Sequence, residues 1–283
     1  MRKIFLSALF LLPLVTFSQR LHLNLFGGFT NYQGDIQEKV FTLDQSNGAF
    51  GAGLKYDLTN HFSLRGGFMY GKASADDKQN KPSLQLRNLN FQTKILEGNL
   101  MVEYTLFDLY ERRLSPYAFA GVALYHFNPY TYDTLGQKYF LKPLSTEGQG
   151  LEDYPDRDHY RLTQFALPLG GGLKYRLSDN VVIAYEIGLR KLMTDYFDDV
   201  SKTYVAPDVL MAARGPVAVE LAYRGDELKT GNPIYPAGGT MRGSEKQKDW
   251  YYFQGIQLSI GLGSGNGVFG SGKGRISCPG KVL

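Results

Sequence analysis

Two histidines are the side chains of this sequence best suited to hydrolytic chemistry. Deacylation of a lipid, or acyl transfer to one, would need a serine activated by a histidine. His126 and His159 are the candidates, but neither a serine elbow nor a paired-carboxylate motif accompanies them. Capping or interfacial roles suit both histidines better, so the sequence predicts a protein that is not an enzyme.

Two groups of aspartates could hold a hard cation through carboxylate oxygens. They are Asp153, Asp156 and Asp158, and separately Asp195, Asp198 and Asp199. Neither group has the spacing of a calcium-binding loop, and we interpret both as aspartates of solvated loops. The motif GVFGSGK at 267–273 has the glycines and lysine of a phosphate-binding loop, but Gly274 replaces the metal-binding Ser or Thr. We therefore predict no cofactor and no metal.

The amino terminus has the pattern of a cleaved export signal. Arg2 and Lys3 precede an apolar run from Ile4 to Val15, and Thr16-Phe17-Ser18 offers small residues for cleavage. We expect residues 1–18 to be the signal peptide. The run is too short for a helix that spans a bilayer about 30 Å thick.

The net charge limits the possible partners, and the cysteine content limits the possible disulfides. The net charge is +4, and removal of the signal takes away two cations. Such a near balance argues against nucleic acid as a partner. Cys278 is the single cysteine, so no internal disulfide can form.

The 283 residues include 33 Gly, 20 Tyr and 18 Phe, a composition typical of an all-β protein. Eight segments alternate with a period of two residues. These predicted strands are 21–32, 49–59, 62–71, 89–106, 116–129, 250–262 and the two arms of 163–192. In 89–106 the apolar parity changes, which indicates either a β-bulge near Ile95 and Leu96 or a strand that outgrows the membrane.

The connections between these strands alternate in length. Those after strands two, four and six are short, and those after strands one, three, five and seven are long. Outer-membrane barrels combine short periplasmic turns with long extracellular loops. We predict an eight-stranded, antiparallel, up-and-down transmembrane β-barrel over residues 19–262. A glycine-rich periplasmic tail, 263–283, would follow it.

One parity of the strands is apolar and the other is rich in glycine and charge. A soluble lipocalin-like barrel would need its outward parity well hydrated, and glycine serves that purpose poorly. We therefore assign the apolar parity to lipid, the aromatic residues to interfacial belts, and the other parity to a narrow lumen. The predicted lumen charges are Lys55, Arg65, Lys174, Arg176 and Arg190, matched by Asp57, Glu97, Glu103 and Glu186.

Several peptides together resemble one known family. They are NYQGDI (31–36), RNLNFQT (87–93), SPYAFAGVALYHFNP (115–129), LKPLSTEGQG (141–150) and TDYFDDVSKTY (194–204). The chain resembles the PorG-like outer-membrane barrels of the Bacteroidota. The matched loop residues are Gly34, Asp35, Thr146, Glu147, Gly148, Gln149, Asp195, Tyr196, Asp198 and Asp199.

The resemblance implies a non-enzymatic component of the type IX secretion machinery, one that links a periplasmic ring of partner proteins to the outer membrane. Ring contact would then fall on the predicted tail and on the turns 59–61, 107–115 and 178–180. Other interpretations remain open. They are a small OmpA- or OmpW-like barrel with a structural or hydrophobe-binding role, and a lipid-modifying outer-membrane enzyme.

Overall fold

The computed structural model describes residues 20–39, 42, 44–229, 231–246 and 248–262. The predicted signal peptide and the predicted tail, with its GVFGSGK motif and Cys278, lie outside the described residues.

Strands dominate the described part of the chain, which has ten strands and three short α-helices. In chain order they are β1 (Leu21–Gln33), β2 (Asn47–Asp57), β3 (Phe62–Asp76), α1 (Pro82–Gln85), β4 (Asn90–Thr105), β5 (Leu114–His126), β6 (Tyr130–Tyr132), β7 (Lys138–Phe140), β8 (Thr163–Ser178), β9 (Val181–Leu192), α2 (Pro207–Arg214), α3 (Pro216–Ala222) and β10 (Trp250–Gly261). None of the helices within these residues is both long and apolar enough to cross a membrane.

Eight of the strands close into a barrel. Each of β1 to β5 and β8 to β10 pairs antiparallel with its neighbours in the chain, and β1 pairs with β10 to complete the circle. The short hairpin of β6 and β7 extends the sheet beyond β4 through a bridge between Gln92 and Tyr130. This confirms the predicted antiparallel up-and-down barrel. Closure pairs the strand edges, which an open sheet would leave exposed.

The predicted alternation of connections is also confirmed. The links 58–61, 106–113 and 179–180 are short and lie at one end of the barrel, the short-turn end. The links 34–46, 77–89, 127–162 and 193–249 are long and lie at the other, the long-loop end. The long links carry α1, α2, α3 and the β6–β7 hairpin, so the irregular structure gathers at one mouth.

Of the two explanations for the parity change in the fourth strand, the β-bulge is wrong. β4 keeps one register with β3 and one with β5 along its paired length, and the register shift lies in β8 between Arg176 and Ser178. In β4 the odd residues, including Phe91 and Ile95, face inward throughout, whereas Leu96 and Leu100 face outward. The apolar parity changes in the sequence because the lumen changes from polar to apolar toward the long-loop end, while the inward-facing parity stays the same.

Apolar side chains cover the outer wall of the barrel and are called the belt below. They include Leu25, Phe50, Leu54, Phe68, Leu100, Val122, Phe165, Leu169, Leu173 and Ile256. Phe68 is 72% exposed and Phe165 is 65% exposed. A continuous apolar exterior is typical of a lipid-facing surface. It contradicts the lipocalin-like alternative, which requires a hydrated exterior.

Many aromatic rings lie inside the barrel and not in interfacial belts as predicted. In β5 the buried parity holds Tyr117, Phe119 and Tyr125, and the outward parity holds Val122 and Leu124. Both parities of this strand are apolar, so its sequence pattern did not distinguish the two faces.

A charge in the middle of the belt should destabilise the barrel. Leu100 is half exposed near the middle of the outer face of β4. We expect Leu100→Arg to lower the free energy of unfolding by about 2–4 kcal/mol in lipid vesicles, measured by urea titration. Leu135→Arg is the control, since Leu135 is 82% exposed in the β6–β7 turn at the long-loop end. Equal effects of both changes would contradict the assignment of the belt to lipid.

Candidate functional site

The lumen contains a chain of ion pairs. Arg65 Nη1 lies 2.6 Å from Glu186 Oε2 and 3.7 Å from Glu103 Oε2. Glu103 also accepts from Lys174 Nζ, which donates in addition to Thr105 Oγ1 at 2.9 Å. The charged side chains are at most 6% exposed. Each buried charge therefore has an opposite charge within reach, which offsets the cost of removing it from water.

A second buried pair lies nearer the long-loop end. Arg190 Nε donates to Glu97 Oε2 at 3.0 Å, and both side chains are almost completely buried. Glu97 accepts further from the Tyr251 hydroxyl at 2.7 Å and from Asn99 Nδ2 at 2.7 Å. The Arg190 guanidinium lies 4.7 Å from the centre of the Phe253 ring. The carboxylate and the guanidinium are thus held by several neighbours, which fixes their geometry.

The remaining predicted lumen charges lie at the short-turn end. Asp57 is 3.4 Å from Lys55 Nζ and 2.7 Å from His22 Nε2, and its side chain is about one-third exposed. Arg176 pairs with the exposed Asp179 at 3.0 Å and does not join the buried pairs. These charges line a polar, water-accessible cavity of about 390 Å³ at that mouth.

Glycine makes room for one of the lumen rings. A Cβ built on Gly170 would lie 2.7 Å from Phe119 Cζ, and one on Gly188 would lie 2.9 Å from the same atom. Both approaches are too short for real atoms, so only glycine allows Phe119 to lie across the barrel at this level. The ring in turn stacks under the Arg65 guanidinium at 4.8 Å.

The mouth at the long-loop end is filled by Phe197, from the 193–249 connection. Its ring stacks on Phe127 at 5.2 Å, on Tyr251 at 5.5 Å and on Tyr32 at 5.7 Å between centroids. Phe197 is fully buried. A loop side chain therefore completes the core of the barrel, and this core is continuous with the loops above it.

The family-motif residues gather over this mouth in one folded layer, the loop cap. It combines the segments 34–37, 145–150, 194–201 and Asp249. Asp35 accepts from the Ser244 amide at 3.1 Å, and Gly34 forms an isolated bridge with Gln37. The Tyr196 ring stacks on Tyr160 at 5.2 Å.

Glu147 is the central acceptor of the loop cap. Its carboxylate accepts from the amides of Ser201 at 3.0 Å and Lys202 at 2.8 Å, and from Arg242 Nη1 at 3.0 Å. Gln149 Oε1 accepts from the Glu147 amide at 3.1 Å. Glu147 is fully buried. It therefore connects the 145–150 turn to the 193–249 loop through satisfied charge-assisted hydrogen bonds.

The turn at 145–150 requires its glycines. Gly148 and Gly150 have φ of +79° and +71°, in the left-handed region where a side chain is strained. The turn places the Thr146 hydroxyl 2.5 Å from Asp199 Oδ2, while the Tyr160 hydroxyl donates to Asp199 Oδ1 at 2.7 Å. In the TEGQG motif the glycines allow the left-handed backbone of the turn, and the threonine donates to the carboxylate of Asp199.

Two carboxylates share one hydroxyl beneath the loop cap. The Tyr32 hydroxyl lies 2.5 Å from Asp198 Oδ2 and 3.0 Å from Asp249 Oδ1. Their other oxygens accept from backbone amides, Asp198 from Val200 and Asp249 from Phe197, each at 2.9 Å. Because the hydroxyl carries one hydrogen, a proton on either aspartate would satisfy the remaining contact.

The interpretation of Asp195, Asp198 and Asp199 as solvated is wrong, since all three are buried. Burial raises the pKa of Asp198 and of Asp249 well above the usual range; the nearby charge of Asp35 raises that of Asp198 further, and the charge of Asp198 raises that of Asp249. Burial also raises the pKa of Asp195 and of Asp199 to about 6. The other group, Asp153, Asp156 and Asp158, is exposed. Among the described residues, no group of three or more His, Cys, Asp or Glu side chains is placed to hold a metal ion.

The two histidine candidates for catalysis are both exposed. His126 is exposed on the barrel wall, and its Nδ1 is 2.9 Å from the Thr163 hydroxyl. His159 is exposed beside Gly150. Within the described ranges, neither histidine hydrogen-bonds to a serine.

The sequence did not single out Tyr32, Phe197, Arg242 or Asp249. A signal existed for Phe197, since an aromatic residue between acidic ones is unusual in a solvated loop. Asp249 and Arg242 come from a long segment without periodicity, and only its folding over the barrel brings them to Glu147 and Asp198.

An apolar exterior, a lumen filled with side chains and one capped mouth define a small, filled β-barrel. The chain belongs to the family described as "Domain of unknown function (DUF6089)", whose sequence model matches residues 2–207. No protein of curated function matches the chain.

Several solved barrels resemble the structure at low identity. Neisserial surface protein A (NspA) is 9% identical, with 85% of this chain and 96% of that chain covered and a TM-score of 0.43. Ail, the attachment invasion locus protein of Yersinia pestis, is 10% identical, with coverage of 85% and 97% and a TM-score of 0.40. The outer membrane protein OprG from Pseudomonas aeruginosa is 10% identical, with coverage of 87% and 99% and a TM-score of 0.40. At these scores the similarities do not bear on function.

Removing one charge of a buried ion pair should lower the free energy of unfolding more than removing both charges. Glu97→Gln leaves Arg190 buried without its counter-charge, and we expect a loss of about 3–5 kcal/mol in the free energy of unfolding. The double change Glu97→Gln with Arg190→Met removes both charges and should recover most of that loss. Urea unfolding in vesicles measures both. Additive losses in the double variant would show that the two charges do not stabilise each other.

The loop cap should weaken as the pH rises. A carboxyl whose pKa is raised by folding stabilises the fold while protonated, and this stability is lost as the pH rises through its folded pKa. A pKa of about 6 against an ordinary 3.8, as for Asp199, corresponds to about 3 kcal/mol lost between pH 4 and pH 8. Fluorescence of Trp250, the single tryptophan, reports on the cap because it follows Asp249.

The change Asp198→Asn tests whether the buried aspartates cause the loss of stability with rising pH. Its amide oxygen can accept from the Val200 amide, and its NH₂ can donate to Tyr32, so it mimics the protonated acid. We expect a smaller loss of stability between pH 5 and pH 8 than in the wild type. The exposed Asp153→Asn should leave the pH dependence unchanged. A wild-type pH profile in Asp198→Asn would refute the assignment to this cluster.

Proposed function

We propose that this protein is a non-enzymatic anchor of the outer membrane, and that it holds periplasmic ring proteins of the type IX secretion machinery at that membrane. The filled lumen is the observation that best supports the anchoring role. The ion pairs around Arg65 and Arg190 and the ring cluster around Phe197 occupy the interior, so the barrel is suited to membrane attachment and unsuited to solute passage.

The apolar belt supports a place in lipid, and the connection lengths support an orientation. In outer-membrane barrels the short turns face the periplasm and the long loops face outward. The short-turn end, with the predicted tail that follows β10, would then meet the ring. The loop cap would face the outside.

The assignment to type IX secretion rests on the resemblance of the loop motifs to PorG-like barrels. The buried hydrogen bonds of Glu147, Asp198 and Asp199 give those motifs a structural role in the loop cap. The role in secretion is tested in the cell.

The largest short turn, 106–113, offers an exposed surface for such a partner. Tyr110 is 66% exposed there, next to the exposed Arg112, which lies over the Phe107 ring at 4.6 Å. We expect the double change Tyr110→Ala with Arg112→Ala to reduce the recovery of ring lipoproteins with the purified barrel, and to reduce cargo export. Leu135→Ala, at the opposite end, is the matched control and should behave as wild type.

Deletion of the gene and conductance measurements complete the test. We expect deletion to block export of type IX cargo, and a chain truncated after residue 262 shows whether the tail makes the contact. Normal export on deletion, with no ring protein recovered, would refute the secretion role.

In planar bilayers we expect no steady ion current from the wild-type barrel. A steady current would refute the filled-lumen anchor independently of secretion.

A further inference from the structure

A cleft of about 490 Å³ opens beside the loop cap at the long-loop end. It lies between the 34–46, 77–89 and 193–249 connections and is lined by Leu86, Arg87, Tyr204, Tyr223, Met241 and Arg242, among others. We call it the long-loop cleft. Its volume is in the range of small-molecule sites, which is about 300–1,000 Å³.

The cleft has a buried donor without an acceptor. Tyr204 is 2% exposed, and its hydroxyl has no hydrogen-bond partner among the described residues. Its ring packs edge-on against Tyr223 at 5.9 Å and against Tyr235 at 5.7 Å, so the hydroxyl is held in place. By contrast, the Tyr223 hydroxyl donates to the Asn232 carbonyl at 2.7 Å. Buried polar groups are normally satisfied, and an exception calls for a reason such as an absent ligand.

Positive charge lies close to that hydroxyl. Arg242 is 3% exposed, and it donates to Glu147 and to the carbonyls of Ala222 and Asp199 through Nε and Nη1. Its Nη2 makes no hydrogen bond to a described residue. Burial raises the pKa of Tyr204, and the guanidiniums of Arg242 and Arg87 oppose that shift. The Tyr204 hydroxyl therefore stays protonated and remains a donor.

The acidic residues of the cleft already have partners. Asp35 accepts from the Ser244 amide, and Glu38 pairs with Lys81 at 2.5 Å. Arg87 is held by both oxygens of Asp77. The Tyr204 hydroxyl and Arg242 Nη2 are therefore the buried donors of the cleft that a ligand can still engage, and the lining also includes Ser83, Thr240 and Ser244.

Part of the cleft wall is apolar. Met241 is 72% exposed and Leu86 is 49% exposed at the rim, and the Tyr223 ring continues the surface inward. Apolar walls with a few convergent polar groups are the usual make-up of a ligand site. A hydroxyl donor together with a guanidinium nitrogen matches a carboxylate.

We propose that the long-loop cleft binds a small carboxylate that carries an apolar body. The carboxylate accepts from the Tyr204 hydroxyl and from Arg242 Nη2, and the apolar body packs against Leu86, Tyr223 and Met241. This site is independent of the proposed role in secretion, because it lies at the opposite end from the short turns.

Phenylacetate is the probe, and its uncharged isostere phenylacetamide is the control ligand. Binding to the full mature protein in nanodiscs is measured by isothermal titration and by saturation-transfer NMR. We expect saturable binding of phenylacetate and at least about tenfold weaker binding of the amide, since hydrogen bonds to charged groups are the stronger ones. Absence of saturable binding, or equal binding of acid and amide, would overturn the proposal.

Tyr204→Phe removes only the unpaired hydroxyl and keeps the ring packing. We expect it to weaken phenylacetate binding at least about tenfold while the unliganded protein unfolds at the same or a higher temperature. Tyr235→Phe is the matched control, because Tyr235 belongs to the same ring cluster and also lacks a hydroxyl partner among the described residues. It should bind within about twofold of wild type. Wild-type affinity in Tyr204→Phe, or equal losses in both variants, would show that the Tyr204 hydroxyl does not contact the ligand.

Discussion

The constraint on which this structure depends is that an eight-stranded barrel leaves a lumen that side chains must fill. Closure pairs the edges of the sheet, which allows the outer wall to be apolar. The interior is then narrow, so a charge buried within it needs a partner at contact distance. Arg65 meets Glu186 and Glu103, and Arg190 meets Glu97. Glycines at 170 and 188 follow from the same constraint, because Phe119 occupies the space of their missing side chains.

The lumen is filled in part by a loop side chain, so the barrel and its loops share one core. Toward the long-loop end the lumen is aromatic, and Phe197 completes it from a loop more than fifty residues long. Once Phe197 is inserted, the flanking aspartates are carried below the surface with it. The oxygens of Asp198 and Asp199 then accept from Tyr32, from the Val200 amide and from Thr146 and Tyr160. The buried acids are thus a consequence of the ring that fills the mouth.

The two ends of the molecule differ in a way that bears on function. The short-turn end is polar and water-accessible, with half-buried charges such as Asp57 and Arg176. The long-loop end is a folded layer with its own apolar core around Val205, Leu210 and Ala218. The filled barrel is therefore closed at one end by a folded layer and ends in a polar cavity at the other. A barrel that exchanges solutes through its lumen would need the interior that these side chains occupy.

The sequence alone determined the strands, the alternation of connections and the lipid-facing parity of most of the barrel. These features are local, because side chains of a strand alternate between faces and turn residues mark its ends. It did not determine the facing of β5, where Tyr117 and Val122 lie on opposite parities that are both apolar. It also misjudged Asp195, Asp198 and Asp199, since the polarity of a residue does not reveal whether a distant partner will bury it. Tyr32, Glu147, Arg242 and Asp249 are separated by up to about two hundred residues and have no common periodicity. Only the closure of the barrel and the packing of Phe197 into its mouth bring them together, and the tertiary structure therefore decided the loop cap and the long-loop cleft.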